Sequence, residues 1–180
     1  MLRKEFALFI IAIVLSGCEG REEVSGTPKY WGGYERERVY SLKSDVFLIQ
    51  LSSSGKYALV PEDSRKSKIR KYFSRPTSLE EYRQGKEPVM VEGIAYQVPV
   101  EVIGIVEAGA TIKPVRVEKL VSSNWFFGWG EYLRIYAILS SQDYRDLEVD
   151  IEDISNREFG GGKACCRNHT PSDEYLQYEP

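Results

Sequence analysis

Apart from one unbroken apolar run, Phe6 to Leu15, the hydrophobic residues of this chain recur in short segments with the two-residue period of half-buried strands. Val39-Tyr40-Ser41-Leu42 opens the series. Val46 to Leu51 (VFLIQL) and Lys56 to Val60 (KYALV), separated by Ser52-Ser53-Ser54-Gly55, then read as a hairpin. Pro61 closes its second strand, because proline has no N–H to give to a ladder. Val89 to Val98, Val100 to Val106 and Thr111 to Val121 follow, the last two joined by the turn Glu107-Ala108-Gly109-Ala110. Val115 and Val117 alternate there with Arg116 and Glu118, as in a strand with one wet face. Gly104 interrupts its strand and predicts a bulge or tight bend. Tyr132 to Leu139 sets Leu133, Ile135, Ala137 and Leu139 against Tyr132, Arg134 and Tyr136. After a polar turn at Ser140 to Asp146, Leu147, Val149 and Ile151 alternate with Glu148, Asp150 and Glu152, so these two strands pair. The acidic positions, with Asp153, read as a solvated strand face in preference to a calcium or glycosidase site.

Only one stretch is helical in pattern. Thr77-Ser78-Leu79-Glu80 has the form of a capping box, Leu79 and Tyr82 share a face, and Gly85 stops the turn, so a short helix ends by Gln84. It reads as a lid or corner plug. Residues 39–155 are therefore predicted to form an all-β domain, a small, partly open barrel with one short helix. Residues 18–38 are polar and carry Gly26, Pro28, Gly32 and Gly33, which predicts a flexible tether. Within it, Tyr30-Trp31-Gly32-Gly33-Tyr34 is aromatic enough to dock on the domain, the favoured reading, or to sit in a lipid interface or on a sugar. Residues 156–180, with Gly160, Gly161 and Gly162 and almost no aliphatic side chains, are predicted to be a disordered tail.

The start of the chain bears on location. Arg3 and Lys4 precede the apolar run, which is too short to span a bilayer comfortably, and Ser16 and Gly17 follow it. The leader covers residues 1–17. Leu15-Ser16-Gly17-Cys18 resembles the lipobox of bacterial lipoproteins. The resemblance implies a diacylglyceryl thioether on Cys18, cleavage just before it, and a fatty acid such as palmitate on the freed amine. Several acyl chains hold far better than one, since each buried CH2 contributes about 0.8 kcal/mol. The partner so implied is the lipid bilayer, reached through acylated Cys18. In that class an aspartate directly after the cysteine is the usual inner-membrane retention signal; Glu19 is not, which favours a cell-envelope location on the outer membrane, facing the periplasm.

The segment from Val98 to Ser155 also resembles the small SH3-like barrels of bacterial envelope proteins, with a hairpin at Ala108-Gly109, an aromatic loop and a tight strand pair. An OB-like barrel fits the same pattern.

Charge and cysteine usage narrow the chemistry. The net charge is −3, and losing Arg3, Lys4 and Glu5 with the leader makes the remainder one unit more negative, which disfavours nucleic acid as a partner. Beyond Cys18 only Cys165 and Cys166 remain; they are adjacent, and a vicinal disulfide or an incidental pair is favoured over a metal site. The sole histidine, His169, falls in the predicted tail, so no assembled triad is expected. Gly160 to Lys163 lacks the frame of a phosphate loop, and no cofactor is implied. Arg65, Lys66, Lys68, Arg70, Lys71 and Arg75 form a candidate patch for an anionic surface, or a solvated edge kept unsticky by charge. Trp125, Phe126, Phe127, Trp129 and Tyr132 are the candidate binding residues, because flat rings between glycines can meet a glycan or a partner; filling the end of the barrel is the structural alternative. The expected function is that of a membrane-anchored envelope lipoprotein with a non-enzymatic domain that binds a protein or peptidoglycan. A periplasmic inhibitor or immunity lipoprotein is the second class, and an envelope enzyme working through carboxylates the third.

Overall fold

The computed structural model describes residues 19–52, 54–62, 78–86, 100–124, 128–158 and 168–179. In chain order its elements are β1 (Glu19–Glu23), a 3-10 turn (Pro28–Trp31), β2 (Tyr40–Leu42), β3 (Val46–Leu51), β4 (Tyr57–Val60), α1 (Leu79–Arg83), β5 (Val100–Val106), β6 (Thr111–Asn124), β7 (Gly128–Ser140), β8 (Leu147–Asp150), a second 3-10 turn (Glu152–Ile154), β9 (Ser155–Glu158), β10 (Asn168–Pro171) and β11 (Leu176–Tyr178). The fold is all-β, with one short helix among the described residues. The strand expected at Val89 to Val98 lies outside the described residues.

One sheet runs β11-β2-β6-β7-β8-β4-β3-β5, and β1 joins the edge of β6 beyond the point where β2 leaves it. Among the described strands only β4 and β8 pair in parallel. The links β2–β3 (residues 43–45) and β5–β6 (residues 107–110) are too short to span more than about 15 Å. Yet they join strands from opposite ends of the order. The sheet must therefore curl until those ends approach, which makes it a half-barrel.

The long hairpin of β6 and β7 is the spine of this curl. Pro114 sits where β2 gives way to β1: its carbonyl accepts from Glu37 N at 2.7 Å, and its missing N–H costs nothing on that open edge. A bulge follows between Pro114 and Arg116. A second bulge places Ile103 between the pairs Leu48–Gly104 and Ile49–Val102, as the glycine predicts. A Cβ on Gly104 would meet the Tyr144 hydroxyl, so a larger residue there has to displace the end of that side chain.

β3 is buried on both faces, which explains its unbroken apolar run. Val46 and Leu48 enter the main core with Ile112, Val117, Leu133, Ile135, Leu139, Val149 and Ile154. Phe47, Ile49 and Leu51 enter a second cluster with Val60 and Val100, plugged by Leu79 and Tyr82 of α1. The Phe47 and Tyr82 rings meet edge to face at 5.7 Å. The capping box begins one residue later than expected. Ser78 accepts from Glu81 N at 2.9 Å and Glu81 accepts from Ser78 N. The sequence satisfies both frames, Thr77 with Glu80 and Ser78 with Glu81, so the motif alone does not choose between them.

Three expectations are corrected. The turn at Glu107 to Ala110 does not close a hairpin: β5 pairs with β3, whereas β6 pairs with β7, β2 and β1. Leu42 holds that turn instead, through Leu42 N to Ala110 O at 2.8 Å and Gly109 N to Leu42 O at 2.7 Å.

Residues 19–38 are not a flexible tether. β1 pairs along β6 from Glu19–Ser122 to Glu23–Glu118, and Trp31 and Tyr34 are buried. Of the alternatives for this aromatic stretch, docking on the domain is the one observed.

Residues 156–180 are not, where described, a disordered tail. β10 pairs with β9 and β11 with β2, and His169, Ser172 and Leu176 are buried. Low aliphatic content misled in both flanks, because their order comes from strand pairing and a few aromatic or polar anchors.

Candidate functional site

Register across β6, β7 and β8 brings charges together on the face opposite the main core. Arg116 lies opposite Tyr136, Glu118 opposite Arg134, Tyr136 opposite Asp150 and Ile138 opposite Glu148. Lys56, just before β4, joins this row from the far side. Its ammonium reaches Glu118 at 3.1 Å and the Tyr136 hydroxyl at 3.0 Å, and Tyr136 donates to Glu118 at 2.9 Å. Arg116 pairs with both Glu118 and Glu148. The Tyr136 ring is 1% exposed, covered by the Arg116 guanidinium at 4.0 Å and the Lys56 ammonium at 4.5 Å from its centroid. Such stacking contributes about 0.5–2 kcal/mol per cation.

This network holds its protons firmly. Burial pushes the Glu118 carboxyl up, but hydrogen bonds from Arg116, Lys56 and Tyr136 outweigh it, and the group lies below the ordinary carboxylate range. Burial, with the Asp150 charge, raises Tyr136, so it stays a donor. The Arg116 guanidinium loses by burial yet is raised overall by Glu148 and Glu118. Neither Glu118 nor Tyr136 is poised to exchange a proton near neutrality. The arrangement clamps four strands of the half-barrel together.

Glu118→Gln is expected to cost about 1–3 kcal/mol, since it leaves Lys56 and Arg116 short of a charged acceptor. Urea unfolding measures it, and an unchanged midpoint would show that the network holds nothing.

Acid sensitivity follows from the same groups. Asp45 is also held low, first by the Ala108 N–H and then by Arg83. A carboxylate whose pKa is depressed on folding stabilises the protein above its unfolded value and ceases to as pH falls through the folded one. Stability should therefore drop below about pH 4, and Asp45→Asn should flatten that drop in unfolding midpoints measured from pH 7 to pH 3.

The acidic face is solvated only in part: Glu148 is exposed and Asp153 half-buried. Asp150 and Glu152 are buried, Asp150 is 2% exposed, and its Oδ1 accepts from Glu152 N at 2.9 Å. The alternation was legible, but which charges face each other depends on register and on Lys56 arriving from β4's end of the sheet.

His169 is a buried anchor of β10. It is 1% exposed, its Nε2 lies 2.9 Å from the Leu133 carbonyl, and its own carbonyl accepts from Gly33 N at 3.2 Å. Tyr34 bonds Ser155 at 2.7 Å, and burial raises its hydroxyl well above the usual tyrosine range. The Gly33–His169 bond ties the first described segment to the last, and His169 and Tyr34 tie each of them to residues 128–158.

The remaining candidates divide by position. Trp129 is in β7 opposite Ser123, near the end of the long hairpin, and Tyr132, opposite Leu120, is 40% exposed. Trp125, Phe126 and Phe127 lie outside the described residues, as do Cys18, the basic segment Arg65 to Arg75, and Cys165 and Cys166. Among the described residues no three His, Cys, Asp or Glu side chains group to hold a metal, and no helix is long and apolar enough to cross a membrane. No protein-family model, no curated protein and no solved structure matches this chain.

Proposed function

We propose that this chain is a bacterial envelope lipoprotein, anchored through acyl chains on Cys18, whose half-barrel binds an envelope protein or peptidoglycan and performs no chemistry of its own. The observation that carries this reading is Leu15-Ser16-Gly17-Cys18 at the end of a basic-then-apolar leader. The non-enzymatic part rests on the ionic cluster, whose described groups are mutually neutralised and held away from neutral titration, and on the buried, structural setting of His169. The placement on the outer membrane rests on Glu19 as the residue after the cysteine.

The test is made in a bacterium. The wild-type chain should sediment with membranes, dissolve only with detergent, and yield an N-terminal peptide carrying a diacylglyceryl group and an amide-linked fatty acid on Cys18. Cys18→Ser should abolish both modifications and at least tenfold of the membrane-bound fraction. An unmodified Cys18, or a mutant as firmly bound as wild type, rejects the reading. Capture of the lipidated protein from gently solubilised envelopes then separates the binding classes, a stoichiometric protein from muropeptides.

A further inference from the structure

The anchor and the end of the long hairpin coincide. β1 runs antiparallel to β6 with Glu19 opposite Ser122, and Ser122 in turn faces Gly130 of β7. Cys18 precedes Glu19 by one peptide bond, about 3.8 Å between Cα atoms. The last described pair of the hairpin, Asn124 with Gly128, is two positions beyond Ser122. No linker separates lipid from domain. The opposite end of the spine, Thr111 with Ser140 and the turn of residues 141–146, is some 36 Å away along β6 at about 3.3 Å per residue.

We infer that the Glu19–Ser122–Gly130 end of the half-barrel rests directly on the bilayer surface, with the row Arg21–Leu120–Tyr132 at the outer edge of the headgroups and the 141–146 turn pointing away from the membrane. This rests on the lipoprotein reading. Acyl chains buried from Cys18 leave Glu19 no room to leave the interface. The polar zone of a bilayer is about 5–8 Å deep on each side, so a row about 10 Å from Cys18 meets its outer edge. The row of Arg21, Leu120 and Tyr132 is three positions from Cys18, about 10 Å, and Tyr132 is the exposed large ring of that row. Tyrosine favours such a depth because its ring is apolar and its hydroxyl wet. Charge does not hold this end down, since Glu19, Glu22, Glu23 and Glu131 outnumber Arg21 and Lys119. The partner is the lipid surface itself, and any envelope partner meets the far end or flanks of the sheet.

The test places a benzophenone amino acid at Tyr132, at Arg21 and at Asp143 in the full-length protein. Each is purified with its lipid and reconstituted in vesicles of phosphatidylethanolamine and phosphatidylglycerol, three to one. Intact mass reports acylation of Cys18, and irradiation followed by mass spectrometry reports phospholipid adducts. The expected result is at least tenfold more adduct at Tyr132 and Arg21 than at Asp143, unchanged in 1 M salt. Equal yields, or more at Asp143, with Cys18 acylated overturn the orientation and leave the lipoprotein reading standing. A chain without acyl groups on Cys18 overturns both. Arg21 is exposed and keeps the result decisive if the Tyr132 variant does not fold.

Discussion

A chain ending at Arg167 loses the cooperative fold. Removal of the last thirteen residues takes away β10 and β11, and with them three buried side chains, His169, Ser172 and Leu176. Leu176 alone accounts for about 1.5–3 kcal/mol of burial. The deletion also strips His169 from the Leu133 carbonyl, the Tyr175 carbonyl from Lys43 N and the Glu179 N–H from Val39. It uncovers Tyr40, whose ring meets Tyr178 at 6.4 Å, and removes the ring over which Arg38 lies at 3.2 Å. At about 1 kcal/mol for each net hydrogen bond, the loss exceeds roughly 5 kcal/mol, comparable to the whole stability of many domains. Circular dichroism and urea unfolding of residues 19–167 against 19–180 measure it. A disordered tail would be removable with no change in midpoint.

Gly32→Val is the second large effect, and it needs one atom group only. Gly32 has φ of 60° and ψ of −120°, a conformation that L side chains rarely adopt. A Cβ there would fall inside 3.0 Å of the His169 carbonyl oxygen, which is backbone and has no rotamer to yield. Strain at such an angle costs about 1–3 kcal/mol, and overpacking costs a similar amount again. The expected loss is about 3–5 kcal/mol. Gly26→Ala is the internal control: its Cβ meets nothing within 4 Å, and its midpoint should stay within about 0.5 kcal/mol of wild type. If Gly32→Val unfolds where wild type does, the approach of His169 to the 3-10 turn is not part of the native state.

These two results bear on the parts of the chain that composition reads worst. Trp31 and Tyr34 were visible as too aromatic for a linker, but their destination was not. Trp31 Nε1 donates to the Ser25 carbonyl at 2.8 Å, and Tyr34 reaches Ser155, 121 residues away. No local pattern specifies a partner at that separation. The same holds for β11, whose Leu176-Gln177-Tyr178 is too short to carry a period and gains its order by pairing with Leu42-Ser41-Tyr40. The ionic cluster was half legible. Alternation put Arg116, Glu118, Arg134, Tyr136, Glu148 and Asp150 on one face, but a solvated face was the natural reading. Tyr136 is buried because Lys56 and Arg116 fold over its ring, and Asp150 is buried with the Arg134 guanidinium 3.8 Å from it.

What the sequence alone determined is whatever depends on neighbours within a few residues. Short β-branched, aromatic and apolar runs marked β2 to β5, and the two-residue period marked β6 to β8, because a strand's faces alternate whatever lies beside it. The Ser/Thr and Glu spacing marked α1, and Gly104 marked its bulge. Only the tertiary structure decided which strands are neighbours: that β5 turns to β3 and not to β6, that β1 extends the edge of β6, and that the last residues close against the first. The physical reason is that strand pairing is a contact between distant segments, chosen by register and by the burial of whole faces at once, and no short stretch of sequence contains it.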